Sequence, residues 1–298
     1  MGGVPAGRIT ILEGDARELR STPDRSVHLV VTSPPYPMVE QWDAHFRSVG
    51  ASEFEPMHRY LDAAWAECRR VLVPGGILAV NIGDALRTQD GEFRLWPNHA
   101  RVTAGCEGAG FQSLPYILWK KPTNKPNAFL GSGFLPPNAY VTLDCEFILL
   151  FRNGGRRRFV PGDPRRTASR YSRAERDRWF SQVWDGIRGT RQEENGHRTA
   201  AFPAEIPERL IRMFSVVGET VLDPFAGTGT TAWAAARLGR NAIAVEIDPV
   251  RAAELRRTAE RSGAGARSRP AEAGRPGPRS PRAAAPERGR VRGGRTPR

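Results

Sequence analysis

The sequence predicts an α/β fold: a Rossmann-like, doubly wound, mostly parallel sheet. Three observations carry this. Short apolar, β-branched runs recur along the first 250 residues, stretches with helical apolar periodicity lie between them, and one run ends in a glycine-rich turn that opens a helix. Strands covered by helices on both faces need near-continuous apolar runs, and several of these runs are of that kind.

The expected strands are Arg8–Glu13, Val27–Ser33, Gly76–Gly83, Tyr116–Lys121, Glu146–Phe151, Thr220–Phe225 and Ala242–Asp248. The clearest helix starts at Ser52, with Glu55 three residues on as a capping box. Its apolar positions Leu61, Ala64, Trp65, Cys68, Val71 and Leu72 repeat every 3.6 residues, and Pro74-Gly75-Gly76 stops it. Further helices are expected over Ala204–Ser215, Thr230–Leu238 and Pro249–Arg261.

Charge divides the chain. The 298 residues carry a formal +13, of which residues 152–178 hold +7 and residues 262–298 hold +8, so the rest is nearly neutral. Basic segments of this kind are usual partners of phosphate backbones. Residues 262–298 are rich in Gly, Pro, Arg and Ala, with Val291 as the one large apolar residue. Such a composition cannot offset ordering entropy, so a disordered basic tail is expected. The arginine-rich stretch 152–196 interrupts the strand–helix alternation, with Trp179, Phe180 and Trp184 as apolar anchors. The expected organisation is therefore 1–151, an insert at 152–196, 197–261 and the tail 262–298. No apolar run is long enough for a membrane span, no apolar signal segment opens the chain, and a cytoplasmic protein is expected. Cys68, Cys106 and Cys145 are far apart, which disfavours disulfides and structural zinc, and the five histidines form no short-spaced ligand pair. No metal is expected.

Two loops carry the chemistry. "VVTSPPYPMV" (30–39) places two prolines straight after a β-branched run. Proline has no N–H for a sheet ladder, so the pair ends the strand and stiffens the next turn, holding Ser33 and Tyr36 at the strand's carboxyl end. In an open α/β sheet ligands bind at that end. "TVLDPFAGTGTTAWAAARLG" (220–239) reads as strand, glycine turn and helix, and "NAIAVEID" (241–248) follows as a strand ending in acids. Glu246, 19 residues beyond Gly227, stands where a carboxylate accepts hydrogen bonds from ribose hydroxyls. Any nucleoside-containing cofactor suits, a dinucleotide included. The order is unusual, because the glycine strand comes late in the chain. If the sheet is circularly permuted, 8–13 becomes its third strand and 27–33 its fourth. Strand 27–33 then lies beside the glycine strand, and two loops 190 residues apart share one crevice.

With these motifs in hand, the chain resembles the amino-group DNA methyltransferases of the permuted "beta" order. The matching pieces are T-S-P-P-Y at 32–36, "LVPGGILAVNIGD" at 72–84, "GFQSLPYILWKKPTNKPN" at 110–127, "HRTAAFPAEIPERLI" at 197–211, "VLDPFAGTGTT" at 221–231 and "NAIAVEIDP" at 241–249. Arg198 departs from the pattern, since the family more often has Pro after the His. The resemblance implies S-adenosyl-L-methionine as cofactor, DNA as partner, and a flipped cytosine or adenine as substrate. A cognate restriction endonuclease stays open. Within the family S-P-P-Y is typical of cytosine-N4 enzymes and D-P-P-Y of adenine-N6 enzymes. By the same resemblance Asp223, Phe225, Gly227, Gly229 and Thr230 form the methionine-side loop and Glu246 binds the ribose. Asp15 contacts the adenine, and Phe202 and Pro203 close over the methionine end.

The cytosine amino lone pair is delocalised into the ring and is a poor nucleophile. Ser33 Oγ and the Pro34 carbonyl can both accept its hydrogen bonds, Pro35 stiffens the turn, and Tyr36 can stack on the extruded base. Carbon-5 methylation uses a cysteine, usually after Pro; here Glu67, Gly105 and Asp144 precede the three cysteines. Lys120, Lys121 and Lys125 lie in a loop that can grip phosphates. The insert, with arginines on an apolar anchor, is expected to carry target recognition, and the tail sequence-independent attraction.

Overall fold

A computed structural model describes residues 6–89, 91–121, 141–189, 202–261 and, for the backbone, 267–269. The first strands in chain order are β1 (Ile9–Glu13), β2 (Val27–Thr32) and β3 (Leu72–Ile82). A separate hairpin, β4 (Ala85–Gln89) and β5 (Glu92–Trp96), follows, and then β6 (Gln112–Lys120), β7 (Cys145–Arg152) and the two-residue β8 (Val183–Trp184). β9 (Thr220–Asp223), β10 (Asn241–Glu246) and β11 (Arg267–Arg269) complete the set. The helices are α1 (Asp43–Ser48), α2 (Phe54–Val71), α3 (Asn98–Gly108), α4 (Pro164–Ala168), α5 (Arg173–Trp179), α6 (Glu205–Phe214), α7 (Thr230–Arg237) and α8 (Pro249–Arg261).

The nine-stranded sheet has the order β11-β1-β10-β9-β2-β3-β7-β6-β8. All pairings from β11 to β3 are parallel, and β7 runs antiparallel to both β3 and β6. β2 therefore lies directly beside the glycine strand β9, in the place the permuted reading assigns it. Alternate side chains feed two cores. Leu29, Val31, Ile77, Ala79 and Val221 pack with Ile206, Leu210 and Leu255 on one face, and Val30, Leu78, Val80 and Leu222 pack with Leu61, Trp65 and Cys68 on the other. Among the described residues no helix is long and apolar enough to cross a membrane.

Several local expectations are corrected. The capping box at Ser52 does not form: α2 starts at Phe54 with Glu53 as its N-cap, and the Glu55 carboxylate instead binds Arg101 Nε at 3.1 Å. The helix stops at Val71 rather than at Pro74, because Leu72 is already extended and joins β3. The hairpin β4–β5 has no counterpart among the expected strands, although Asp90-Gly91 is a strong hairpin dipeptide. α3 is likewise additional, since its apolar spacing is weak. In the tail, Arg267–Arg269 pairs in parallel with β1. Backbone hydrogen bonds along an open sheet edge need no apolar side chain, which is why composition does not reveal this strand. The remainder of 262–298 lies outside the described residues.

The insert is joined to the sheet rather than set apart from it. β8 pairs with β6, and Trp184 and Ile187 are buried in the same core as Leu29 and Val31. Trp184 Nε1 donates to the Trp179 carbonyl at 2.9 Å, and Trp119 Nε1 donates to the Ile187 carbonyl at 3.1 Å. Trp179 and Trp184 serve as the expected anchors, whereas Phe180 is 50% exposed. Removing so large a buried side chain costs about 3–5 kcal/mol. Trp184→Ala is expected to lower the unfolding free energy of the whole chain by that amount in urea titration, within a single transition. A separate low-stability transition would show instead that the insert folds on its own.

Candidate active site

The T-S-P-P-Y turn leaves β2 at the carboxyl edge of the parallel strands. Thr32 and both prolines are buried, and Ser33 and Tyr36 are partly exposed. Thr32 Oγ1 donates to Asp223 Oδ1 at 2.7 Å, across 191 residues of sequence. The same oxygen accepts the Phe225 N–H at 3.1 Å, and one turn on, Thr231 Oγ1 donates to the Val31 carbonyl at 3.3 Å. The loops after β2 and β9 are thus tied side by side. Burial pushes the Asp223 carboxyl up to about 6, against the hydrogen bonds from Thr32 and Phe225.

Behind Ser33 lies a polar cluster. Ser33 Oγ donates to Tyr36 Oη at 3.1 Å, and Tyr36 Oη donates to Glu146 Oε2 at 2.9 Å. Asn81 Nδ2 donates to both, at 2.7 and 2.6 Å, and Lys121 Nζ binds Glu146 Oε1 at 2.5 Å. Gly83 makes room for this packing, since a Cβ there would lie 3.2 Å from the Tyr36 ring and 3.3 Å from Glu146. The buried Asn98 amide donates to the Pro37 and Gly83 carbonyls at 2.9 and 3.0 Å, pinning the turn against the end of β3. Its oxygen lies 3.1 Å from His58 Nε2, and burial lowers the His58 imidazole to about 4, so the ring is neutral at physiological pH.

The glycine loop follows β9. Gly229 has φ +81, and a Cβ there would strike Leu255 and Trp233, so only glycine fits. Gly227, at φ +52, has only the Phe225 carbonyl oxygen within 4.0 Å of where a Cβ would stand. Glu246 is buried, with Oε2 accepting the Gly227 N–H at 2.8 Å and Oε1 the Asp248 N–H at 3.0 Å. Burial raises this carboxyl too. Gly14 N–H donates to the Glu246 carbonyl at 3.0 Å, which sets Asp15 at the same edge. Asp15 is held by Arg17, whose guanidinium lies 4.8 Å over the Tyr60 ring. Phe225 packs near Tyr60 and Trp65, Thr230 opens α7, and Phe202 and Pro203 are buried just before α6.

The family follows from comparison. The family model described as a DNA methylase (N6/N4) matches residues 27–256. Type II methyltransferase M.MjaI of Methanocaldococcus jannaschii is 56% identical over 263 residues, 80% of this chain and 86% of that protein. Type II methyltransferase M.MthZI of Methanothermobacter thermautotrophicus is 46% identical over 253 residues, 78% of this chain and 70% of that protein. TTHA0409 of Thermus thermophilus, described as a DNA modification methylase and solved with S-adenosyl-L-methionine, superposes with a TM-score of 0.70 at 37% identity. That match covers 89% of this chain and 100% of the other. The chain belongs to the N6/N4 DNA methylase family. The cytosine-N4-specific PvuII DNA methyltransferase shares the fold, with a TM-score of 0.59 at 22% identity over 85% of this chain and 88% of that one.

This DNA methylase is S-adenosyl-L-methionine-dependent and acts on an exocyclic amine, cytosine N4 or adenine N6. Its residues fit the cofactor. Each Glu246 oxygen keeps a lone pair for a ribose hydroxyl beside the Gly227 backbone, and the fold brings Asp15, Asp223, Phe225, Thr230 and Glu246 to one edge. Sequence reasoning missed Asn81, Asn98, Lys121 as a Glu146 partner, and Glu146 itself, because each acts through a contact made only in the folded chain. His197, Arg198 and Lys125 lie outside the described residues.

The arginines of residues 152–170 sit elsewhere. Arg152 pairs with Ile77 at the start of β3, Arg157 forms an ion pair with the buried Glu219 just before β9, and Ser169 Oγ accepts the Val217 N–H. Residues 152–170 therefore occupy the amino-terminal edge of the parallel strands. A six-residue strand such as β2 separates the two edges by roughly 20 Å. Arg188, exposed just after β8, is the arginine that follows on the site's side.

Asp223 also gives a pH signature. Its folded pKa lies above the ordinary carboxylate value, so its contribution to stability is full below about pH 4 and is lost as pH rises through about 6. A shift of this size corresponds to about 3 kcal/mol. Asp223→Asn keeps an acceptor for Thr32 and is expected to be more stable than the parent at pH 7.5, with the difference vanishing near pH 4. Chemical denaturation of the cofactor-free protein at both pH values measures it.

Proposed function

We propose that this enzyme transfers the methyl group of S-adenosyl-L-methionine to the N4 amine of cytosine in DNA, at a specific sequence. The observation that supports this is Ser33 itself. Its hydroxyl proton is committed to Tyr36, so its lone pairs are left to accept from an incoming amine. An acceptor hydroxyl beside the Pro34 carbonyl can take both amine hydrogens and turn the nitrogen lone pair outward. The bound cofactor supplies an electrophilic sulfonium methyl. The chain supplies position: Pro34 and Pro35 stiffen the turn, the Thr32–Asp223 bond fixes it against the cofactor loop, and Tyr36 presents its ring to an extruded base. Asp15, Phe202, Pro203, Asp223, Phe225, Gly227, Gly229, Thr230 and Glu246 hold the cofactor in this reading, with Glu246 on the ribose. The Type II names of M.MjaI and M.MthZI support a site-specific enzyme, for which a cognate restriction endonuclease would be the partner.

Ser33→Ala is expected to lose most methyl transfer while keeping cofactor affinity, measured by radiolabel incorporation and calorimetry. Nucleoside mass spectrometry of plasmid methylated by the parent should show N4-methylcytosine. N6-methyladenine in its place would make the adenine reading the correct one.

Target readout is proposed for the site's edge. Arg188→Ala is expected to change the methylated sequence in genome-wide mapping, whereas Arg156→Ala with Arg158→Ala, on the opposite edge, should leave it unchanged. An arginine reading a base edge is worth about 1–3 kcal/mol of discrimination.

A further inference from the structure

Methylation of an amine leaves a proton to be placed. As the N–C bond forms and the C–S bond of the donor breaks, the electron pair stays with sulfur, and the nitrogen must shed one of its two hydrogens. A hydrogen-bonded chain runs from the site of that nitrogen into the protein, and every proton in it points the same way. Ser33 Oγ donates to Tyr36 Oη at 3.1 Å, and Tyr36 Oη donates to Glu146 Oε2 at 2.9 Å. Asn81 Nδ2 holds the last two members in register, 2.7 Å from the tyrosine oxygen and 2.6 Å from the carboxylate. The hydroxyl of Tyr36 thus accepts twice and donates once, and it has no further rotamer to explore. The chain ends on a carboxylate whose side chain is 12% exposed and whose other oxygen meets Lys121, itself 36% exposed.

We infer that Glu146 is the terminal acceptor of the proton lost by the target amine, reached through Ser33 and Tyr36. The amine proton passes to Ser33 Oγ, the Ser33 proton to Tyr36 Oη, and the Tyr36 proton to Glu146 Oε2. The product complex then holds a neutral Glu146, which returns its proton to solvent on the Lys121 side. Tyr36 takes part as a neutral hydroxyl: its burial and the adjacent Glu146 hold its acidity far below that of a free phenol, so it gives a proton only as it receives one. Glu146 never touches the base. It is a positioning residue that orients Tyr36 and also receives the proton Tyr36 releases. This inference rests on the reading of Ser33 as the acceptor for the target amine.

Glu146→Gln is the discriminating variant, because glutamine keeps an acceptor oxygen for Tyr36 while removing the basic site together with the Lys121 ion pair. Tyr36→Phe keeps the ring and removes the relay, and it carries the test should the glutamine variant not fold. In single-turnover methyl transfer to DNA, each is expected to slow the reaction by about 10²-fold, and the double variant no further than either. The parent should show a solvent deuterium isotope effect that both variants lose, with cofactor affinity by calorimetry unchanged. Infrared difference spectra of the parent product complex should show a carboxylic-acid C=O band that is absent in Glu146→Gln. A Glu146→Gln enzyme at the parent rate, or one slowed with its isotope effect intact, overturns the relay and leaves the methyltransferase reading standing. A parent enzyme that transfers no methyl group to DNA overturns that reading instead.

Discussion

The hydrogen bond from Thr32 Oγ1 to Asp223 Oδ1 joins the two halves of the site, and most of what the enzyme requires depends on it. It lies where β2 and β9 run side by side, so the stiff proline turn and the glycine loop leave the sheet from adjacent strands. A hydrogen bond to a charged or partly charged carboxyl contributes roughly 1.5–3 kcal/mol. Its larger effect is geometric. The two loops that hold the reactants in the proposed reading are referred to one another by a short, buried contact rather than through the rest of the chain.

Burial makes this contact costly and informative at once. Asp223 and Glu246 both sit at strand ends, with little water around them, and both are compensated by backbone N–H groups and hydroxyls rather than by cations. A carboxylate satisfied in this way has a fixed orientation and no long flexible partner. The Tyr36 cluster follows a different rule. There, among the described residues, the cation Lys121 faces Glu146, and Asn81 Nδ2 donates to it as well. Ser33, Tyr36, Asn81 and Glu146 are joined by shared hydrogen bonds and act as one unit, in which the buried Asn81 Oδ1 is left without a partner.

The two edges of the sheet are built with opposite chemistry. The carboxyl edge collects hydroxyls, acids and aromatic rings around the candidate site. The amino edge collects arginines, several of them spent on structural pairs: Arg157 with Glu219, and Arg165 with Asp163. Arg157 also covers Phe159 at 4.7 Å, and Arg212 covers Trp179 at 4.6 Å. A guanidinium engaged in an ion pair and an aromatic face is part of the packing, and its charge is not free for a phosphate.

The sequence by itself determined the central strands, the parallel doubly wound class and both loop motifs, because these rest on local signals. Apolar runs, proline pairs and glycine turns constrain the backbone within a few residues. It also indicated which carboxylates end which strands, so that Asp223 and Glu246 were legible before any fold was drawn. Tertiary structure alone decided the rest. Sequence can count the arginines between 152 and 170, yet which edge of the sheet they occupy depends on β7 running antiparallel, which sends the chain back to the amino edge at Arg152. Asn81 reads as one polar residue in an apolar strand, Glu146 as a charge at a strand start, and Asn98 as a residue beside a proline. Their meaning comes from what lies 2.6–3.0 Å away, and those neighbours are 15 to 110 residues distant along the chain. Local propensity acts over single turns and strands, whereas a site assembled from several strand ends is defined by pairings that no window of sequence contains.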